Sequence, residues 1–474
     1  MSKATAFSLI LVFIVAGCLS GTKPDKEIDD ASPNLQPFKI FAPFTVPKPD
    51  YDFSTVVDPD HEAHNVPALH MDGHGLDLTG FAPVQDILPP GTRGSITQID
   101  VFDGFALVSG MEQGPAFVIV DIKDPANPRA ISYAPTVADG WTARFSKEDG
   151  DYVFYGCQIV ATSANPDPTI KGNCRDPNGG PQTNADEAQG SHVNVYDVRD
   201  KSNPKFVDAI PATGSHNIQT AKIDGVDYVT TASTEIIKFD RENSRLEHVV
   251  ALPGQHDSTV GRHPLTGDWL LITGRSGSFV IYNINNPYEP EVILEEGKFA
   301  SDGWHEQVMF PRLVDGRALL AVAGESFAGA PAGVAWSQIT FIDITDPSKP
   351  VTLSQWRPPF APLVPWGSYL YSVHEGAATP QGQFAIGWYH AGVWVIDVST
   401  QERQAEPVIV AAYQPHELIT AVPSTFVQTP VPYVPFVWST AWDQRGYLVV
   451  PDMQTGVYLL EPSWGLIPMI DGGA

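Results

Sequence analysis

The chain has 474 residues, 55 of them acidic and 28 basic, for a formal charge of −27. That balance argues against a nucleic-acid partner, whose phosphates need Lys and Arg, and against adhesion to an anionic membrane surface. High like charge describes a soluble body that repels its own copies. The sequence carries no Walker motif, dinucleotide fingerprint, HExxH, or GxSxG in a strand–turn–helix setting.

In chain order, residues 1–17 read as a signal peptide. One Lys precedes an apolar run too short for a membrane span, and the run closes on Val15-Ala16-Gly17-Cys18. The last four residues resemble a lipobox. Cys18 is therefore expected to carry lipid, which would be the protein's only attachment to a membrane, at the cell surface or outer membrane. Residues 18–74 read as a tether. Its end, HEAHNVPALHMDGHG, holds His61, His64, His70 and His74, spaced closely enough to chelate; a tail with incidental metal affinity is the simpler reading. From residue 75 to 474 the chain is regular enough to be one domain.

That regularity is a repeat. Seven apolar, β-rich strands each end in an acidic or amide residue: FVIVD at Asp121, VNVYD at Asp197, IIKFD at Asp240, FVIYN at Asn283, ITFID at Asp343, VWVID at Asp397 and VYLLE at Glu461. In several copies a Pro-containing turn and another apolar strand follow, as in DIKDPANPRAIS and DITDPSKPVTL. A strand ending in small residues precedes each copy, and a glycine turn precedes that strand, at Gly104, Gly150, Gly225, Gly267, Gly316, Gly382 and Gly446. Glycine suits tight hairpins because positive φ costs it nothing. Each unit reads as four antiparallel strands, A to D. Seven stacked units predict an all-β fold, a seven-bladed β-propeller. The seventh copy lacks its own D strand, and PVQDILPP at 83–90 looks like a D strand without a unit. An N-terminal strand is thus expected to complete the last blade and close the ring. The strand-end acids invite a calcium reading, but Asp before a Pro-containing turn is ordinary turn chemistry.

The signature FVIVDIKDPANP resembles the LVIVD-repeat family of bacterial and archaeal surface proteins. The resemblance covers roughly residues 80–462, although the third and seventh copies lack the Asp-Pro turn. It implies an extracellular β-propeller and specifies no chemistry. With Cys18 lipidated, Cys157 and Cys174 remain as a pair, and an oxidising compartment favours a disulfide stapling the 157–191 loop.

Four of the A strands begin with histidine and an acidic or amide residue: His216-Asn217, His256-Asp257, His305-Glu306 and His374-Glu375. A strands are innermost in a propeller, so repetition gathers these distant residues into an arc at the mouth of the channel. Side-chain alternation then turns each acid toward a neighbouring blade, where it can accept the second N–H of an imidazole. His192 and His390 fall in B–C connections on the same face, as do Met111, Glu112, Arg275, Glu325 and Asp452. Two Pro-rich, aromatic D–A loops, 357–372 and 416–438, rise there too. They read as a roof over the mouth or as a docking surface for a partner.

Two functions follow. The first is binding of a ligand or a surface protein on the His-bearing face. The alternative is a metal-dependent hydrolase or oxidase with a transition metal, copper or zinc, on His216, His256, His305 and His374. Asn217, Asp257, Glu306, Glu375, His192 and His390 would then support the ligands. Structural histidines that bond the backbone of the adjacent blade are the competing account of the arc.

Overall fold

A computed structural model describes residues 75–88, 96–110, 115–135, 140–157, 174, 191–254, 256–275, 278–298, 305–325, 337–357, 372–389, 392–413, 436–453, 455–466 and 469. The expected signal peptide, Cys18 and the histidines His61, His64, His70 and His74 lie outside these residues, as do most of both long D–A loops.

The second and third strands of the repeats are mostly buried: FVIVD is buried up to its final Asp121 and YVFYGC throughout, with no alternation. Such strands are packed on both faces, which is why they read as continuous apolar runs. The fourth strands are more exposed, as in VTLSQW, Val351–Trp356. This gradient orders the strands from the middle of a stack to its rim. Seven four-stranded antiparallel sheets result, paired in the order A-B-C-D. The A strands are Ile96–Phe102, Gly140–Phe145, Ile218–Ile223, His256–Arg262, Gln307–Met309, Gly376–Ala378 and Ala441–Trp442. Each A strand neighbours those of the blades on both sides, from blade one to blade seven and back to blade one. The molecule is therefore a closed seven-bladed β-propeller with the A strands around its axis.

Apolar layers fill the space between blades. Phe310, Phe341, Trp388 and Trp394 are among the buried residues of the layer joining blades five and six. Edge-on ring packing, such as Phe341 on Phe384 at 5.8 Å, adds to the area term. At the inner rim, hydroxyls stitch neighbouring blades. Ser215 donates to the Cys157 carbonyl at 2.8 Å, Ser258 to Thr231 at 3.1 Å, Thr440 to Ala385 at 3.1 Å, and Ser439 to Thr97 at 2.9 Å.

The closing strand differs from its expected place. It runs Leu76–Pro83 and pairs with Gly456–Pro462, Leu76 opposite Pro462 and Pro83 opposite Gly456. Residues Val84–Ile87, expected to be strand, form a 3-10 turn. Pro83 has no N–H to extend a ladder, so the strand ends there. Gly80 lets the strand lie against blade one: a Cβ at this position would stand 2.1 Å from the Pro125 carbonyl oxygen. Blade six adds a short helix, Gln401–Ala405, between its C and D strands, capped by Thr400, whose side chain accepts from the Arg403 N–H.

Cys157, at the end of the second B strand, is bonded to Cys174 with a Cα separation of 5.6 Å, and both are fully buried. The strand-end residues cap their turns. Asp121, Asp197, Asp240, Asn283, Asp343 and Asp397 each accept the backbone N–H two residues on, at 2.7–3.1 Å.

Candidate functional site

The backbone places the histidines equivalently. The His305 N–H donates to the Ala323 carbonyl, and the Ala323 N–H returns to Glu306; His374, Gly387 and Glu375 repeat the pattern in blade six. In blade three the Ala232 N–H donates to Asn217, and in blade four His256 pairs with Gly274. His216, His305 and His374 thus precede their A strands by two residues, and His256 opens its own. The side chain of His256 and all of His390 lie outside the described residues.

Of the three histidines whose side chains are described, two meet. Their rings, His305 and His374, lie 4.1 Å apart between centroids. Both turn toward Glu325, which follows the fifth B strand. His305 Nε2 is 3.2 Å from Glu325 Oε2, and His374 Nε2 is 3.8 Å from Glu325 Oε1. One donor atom from each of the three residues falls within 4.8 Å of the others, the one such group among the described residues. All three side chains are less than a tenth exposed.

The surrounding residues fix this geometry. His305 Nδ1 stands 3.2 Å from Asp257 Oδ2, and Asp257 Oδ1 stands 3.8 Å from His216 Nε2. Asp257 reaches both because its strand is bulged between His256 and Ser258, and its φ is +54°. A bulge takes one residue out of the strand's alternation and re-aims it. Tyr389 donates its hydroxyl to Glu325. The Trp438 ring covers His374 at 3.9 Å, and the Tyr389 ring stands edge-on to it at 5.3 Å. The Val437 N–H donates to the Tyr389 carbonyl at 3.0 Å, which ties this wall together.

Glu306 and Glu375 have different surroundings. Both are buried, and they act on each other and on Arg144 of blade two, so they face the axis. Burial, and then the charge of Glu375, hold the Glu306 carboxyl well above the usual carboxylate range. Burial pushes Glu375 up to about 8, with Arg144 pulling the other way and Asp257 adding to the rise. Glu375 also keeps Oε1 within 3.8 Å of His374 Nδ1. Asn217 lies beside Glu306. His192 is buried in blade two, opposite the disulfide-bonded Cys157. Asp452 shapes the wall: its carboxylate accepts the Phe436 N–H at 2.6 Å and the Thr455 N–H at 3.1 Å.

Two His with one carboxylate is a donor set for zinc or ferrous iron, three ligands with positions left open. Ligands about 2.1 Å from a metal stand roughly 3.0 Å apart at a right angle and roughly 3.4 Å apart at the tetrahedral angle. The 3.2 Å His305–Glu325 separation lies in that interval, and the 3.8 Å His374–Glu325 separation is slightly wider. The Asp257–His305 contact is the carboxylate–imidazole pairing that usually backs a metal-bound histidine.

No protein-family model matches this sequence, and no curated protein does. Solved structures give likeness of fold alone. The Raptor structure from Chaetomium thermophilum is 14% identical with a TM-score of 0.48; the match covers 82% of this chain and 30% of that one. The WD40 β-propeller domain of Doa1 is 10% identical with a TM-score of 0.49, over 82% of this chain and 97% of that one. The β-propeller domain of Cps50 (Swd1) from Myceliophteria thermophila is 13% identical with a TM-score of 0.47, over 81% and 98%.

Proposed function

We propose that the chain is an extracytoplasmic propeller with a mononuclear transition-metal centre at the mouth of its axis, held by His305, His374 and Glu325. A small ligand would take the open coordination positions. The observation that carries this reading is the convergence of two imidazoles from adjacent blades on one buried carboxylate. Asp257 bracing the far side of His305 supports it. The competing structural account gains little from the rim bonds described above, which are made by Ser and Thr hydroxyls. A histidine that does such work is His263, whose Nε2 lies 2.9 Å from the Ile344 carbonyl oxygen of the next blade.

Three protein ligands are the form of catalytic sites, whereas structural zinc sites are closed by four. A metal here would activate water or polarise a bound oxygen, which makes hydrolysis or oxidation the reaction class. Asp257 would hold the His305 proton on Nδ1 and keep Nε2 free for the metal; Tyr389 would orient Glu325. Trp438 and Tyr389 would screen the His374 side from water. The Cys157–Cys174 disulfide supports an oxidising compartment, in keeping with export and a lipid on Cys18.

The test is metal content of the tag-free protein after reconstitution with Zn²⁺ or Fe²⁺, beside an H305A/H374A variant. About one metal per chain, lost in the variant while the circular-dichroism spectrum is kept, is the expected result. Cobalt(II)-substituted protein should then change its visible spectrum on adding azide, which reports an open position. A metal-free protein after reconstitution would sink the reading.

A further inference from the structure

Six large apolar side chains stand exposed among the described residues: Leu265, Tyr288, Val292, Val351, Trp464 and Leu466. Single exposed apolar residues are ordinary on a protein surface. What sets these six apart is where they lie. The A strands start at the histidine mouth. In an antiparallel A-B-C-D sheet the A–B hairpins, the C–D turns and the first residues of the D strands therefore share the opposite end. Leu265 is in the A–B turn of blade four, Tyr288 in its C–D turn, and Val292 near the start of its D strand. Val351 opens the D strand of blade five, and Trp464 and Leu466 follow the C strand of blade seven. All six belong to the face opposite the candidate metal centre.

The chain joins the propeller at this same face. Leu76 pairs with Pro462, and the Gly75 carbonyl accepts the Ser463 N–H at 3.0 Å. Trp464, 37% exposed, follows at once, in a turn that the Gly465 N–H closes onto the Pro462 carbonyl at 2.9 Å. An exposed Trp thus stands beside the entry of the segment expected to carry lipid on Cys18. Blades four and seven lie almost opposite each other in a ring of seven. A protein partner with one complementary patch needs its apolar contacts gathered at the centre of that patch. Apolar groups on opposite sides of one face suit a flat, fluid surface instead, and Trp and Tyr are the side chains that settle at the headgroup level of a bilayer. The strand-end acids Asp121, Asp197, Asp240, Asp343 and Asp397 lie at this end too, so anionic headgroups would be repelled.

We infer that this face of the propeller rests on a zwitterionic bilayer, touching it through Leu265 and Tyr288 on one side and Trp464 and Leu466 on the other. The histidine mouth then opens away from the membrane, toward soluble ligands. Residues 19–74 are more chain than would fix an orientation, so the apolar side chains set it. The inference rests on the lipid proposed at Cys18 and is independent of the metal.

The experiment uses the full chain as its host processes it, reconstituted into phosphatidylcholine vesicles with bromine near the headgroup end of the acyl chains, where it quenches an indole on contact. Flotation reports the lipid anchor, and loss of Trp fluorescence reports the face. The wild type should float and lose part of its Trp emission, whereas W464F should float and lose little. L265S/Y288S should float and be quenched at least about twofold less than the wild type, because half of the apolar contact is gone. A floating wild type without quenching would overturn the inference. So would equal quenching in W464F, which would put another face on the bilayer. Cross-linking that finds the chain paired on the vesicles, and unpaired in L265S/Y288S, would give the face to a second copy and overturn it too. A chain that does not float overturns the inference together with the lipid at Cys18.

Discussion

Asp257 makes contacts that no ordinary strand residue could make. Its positive φ is costly for a residue with a Cβ, and such strain persists where the surroundings over-determine it. Here the surroundings are two imidazoles from the blades on either side. Asp257→Asn keeps the shape and removes the charge. It should leave metal stoichiometry near one and weaken affinity about 10–100-fold, the usual cost of losing the carboxylate behind a metal-bound histidine. Competition against a zinc chelator measures it, and unchanged affinity would leave Asp257 a purely architectural residue. The four repeated histidines were legible in the sequence because repetition maps position onto place. Their pairing was not. Strict alternation assigns Asp257, Glu306 and Glu375 the same role, but the bulge re-aims the first while the other two turn to the axis. Tyr389 and Trp438 went unread because they sit on connections, where no periodicity marks a side chain's direction. Glu325 was legible only as one residue among several on the right face.

At the level of single elements, turn chemistry is the most readable part of the chain. In blades one, three and five the A–B hairpins turn on Asp103-Gly104, Asp224-Gly225 and Asp315-Gly316, each with both φ values positive. This is the type I′ pattern that matches strand twist. Contacts between elements of different blades were not readable. The turn after blade two's A strand offers Asp149 to blade three, where Arg241 lies at 2.8 Å and Lys222 at 3.2 Å. Burial alone would raise the Asp149 carboxyl, yet Arg241, the Asp151 N–H, the Ser146 hydroxyl and Lys222 hold it well below the usual range. A carboxyl lowered in the folded state stabilises above its unfolded pKa, and that contribution fades as pH falls through the folded value. Asp149→Asn should therefore cost about 1–2 kcal/mol at pH 7, between the values for exposed and buried pairs. The penalty should shrink steadily below about pH 4, where the unfolded wild-type carboxyl takes up a proton. Urea unfolding at pH 7 and pH 3 measures both; an equal deficit at the two pH values would count against the clamp.

On the scale of the whole molecule, the ring has no free sheet edge along its closure because one strand from the N-terminal side is lent to the last blade. The repeats made the blade count and this loan legible; the position of the strand was missed, since the apolar run at 83–90 resembles a strand more than LDLTGFAP does. Removing residues 75–83 bares the Gly456–Pro462 strand, and bared edges pair with other chains. The truncated protein should lose its single cooperative transition and form soluble aggregates, visible by calorimetry and light scattering. A monomer with an unchanged unfolding midpoint would mean that closure is held elsewhere.

That same pairing sets how the molecule bears force. The chain enters the shared sheet at Leu76 and leaves it opposite, at Pro462, so both flanking segments emerge from one corner of an antiparallel pair. Tension drawn between them loads the rungs one after another, as a zip opens, and never shears them together. A propeller hung from its N-terminal segment and pulled from its C-terminal one would yield first at this seam, with the other six blades still intact.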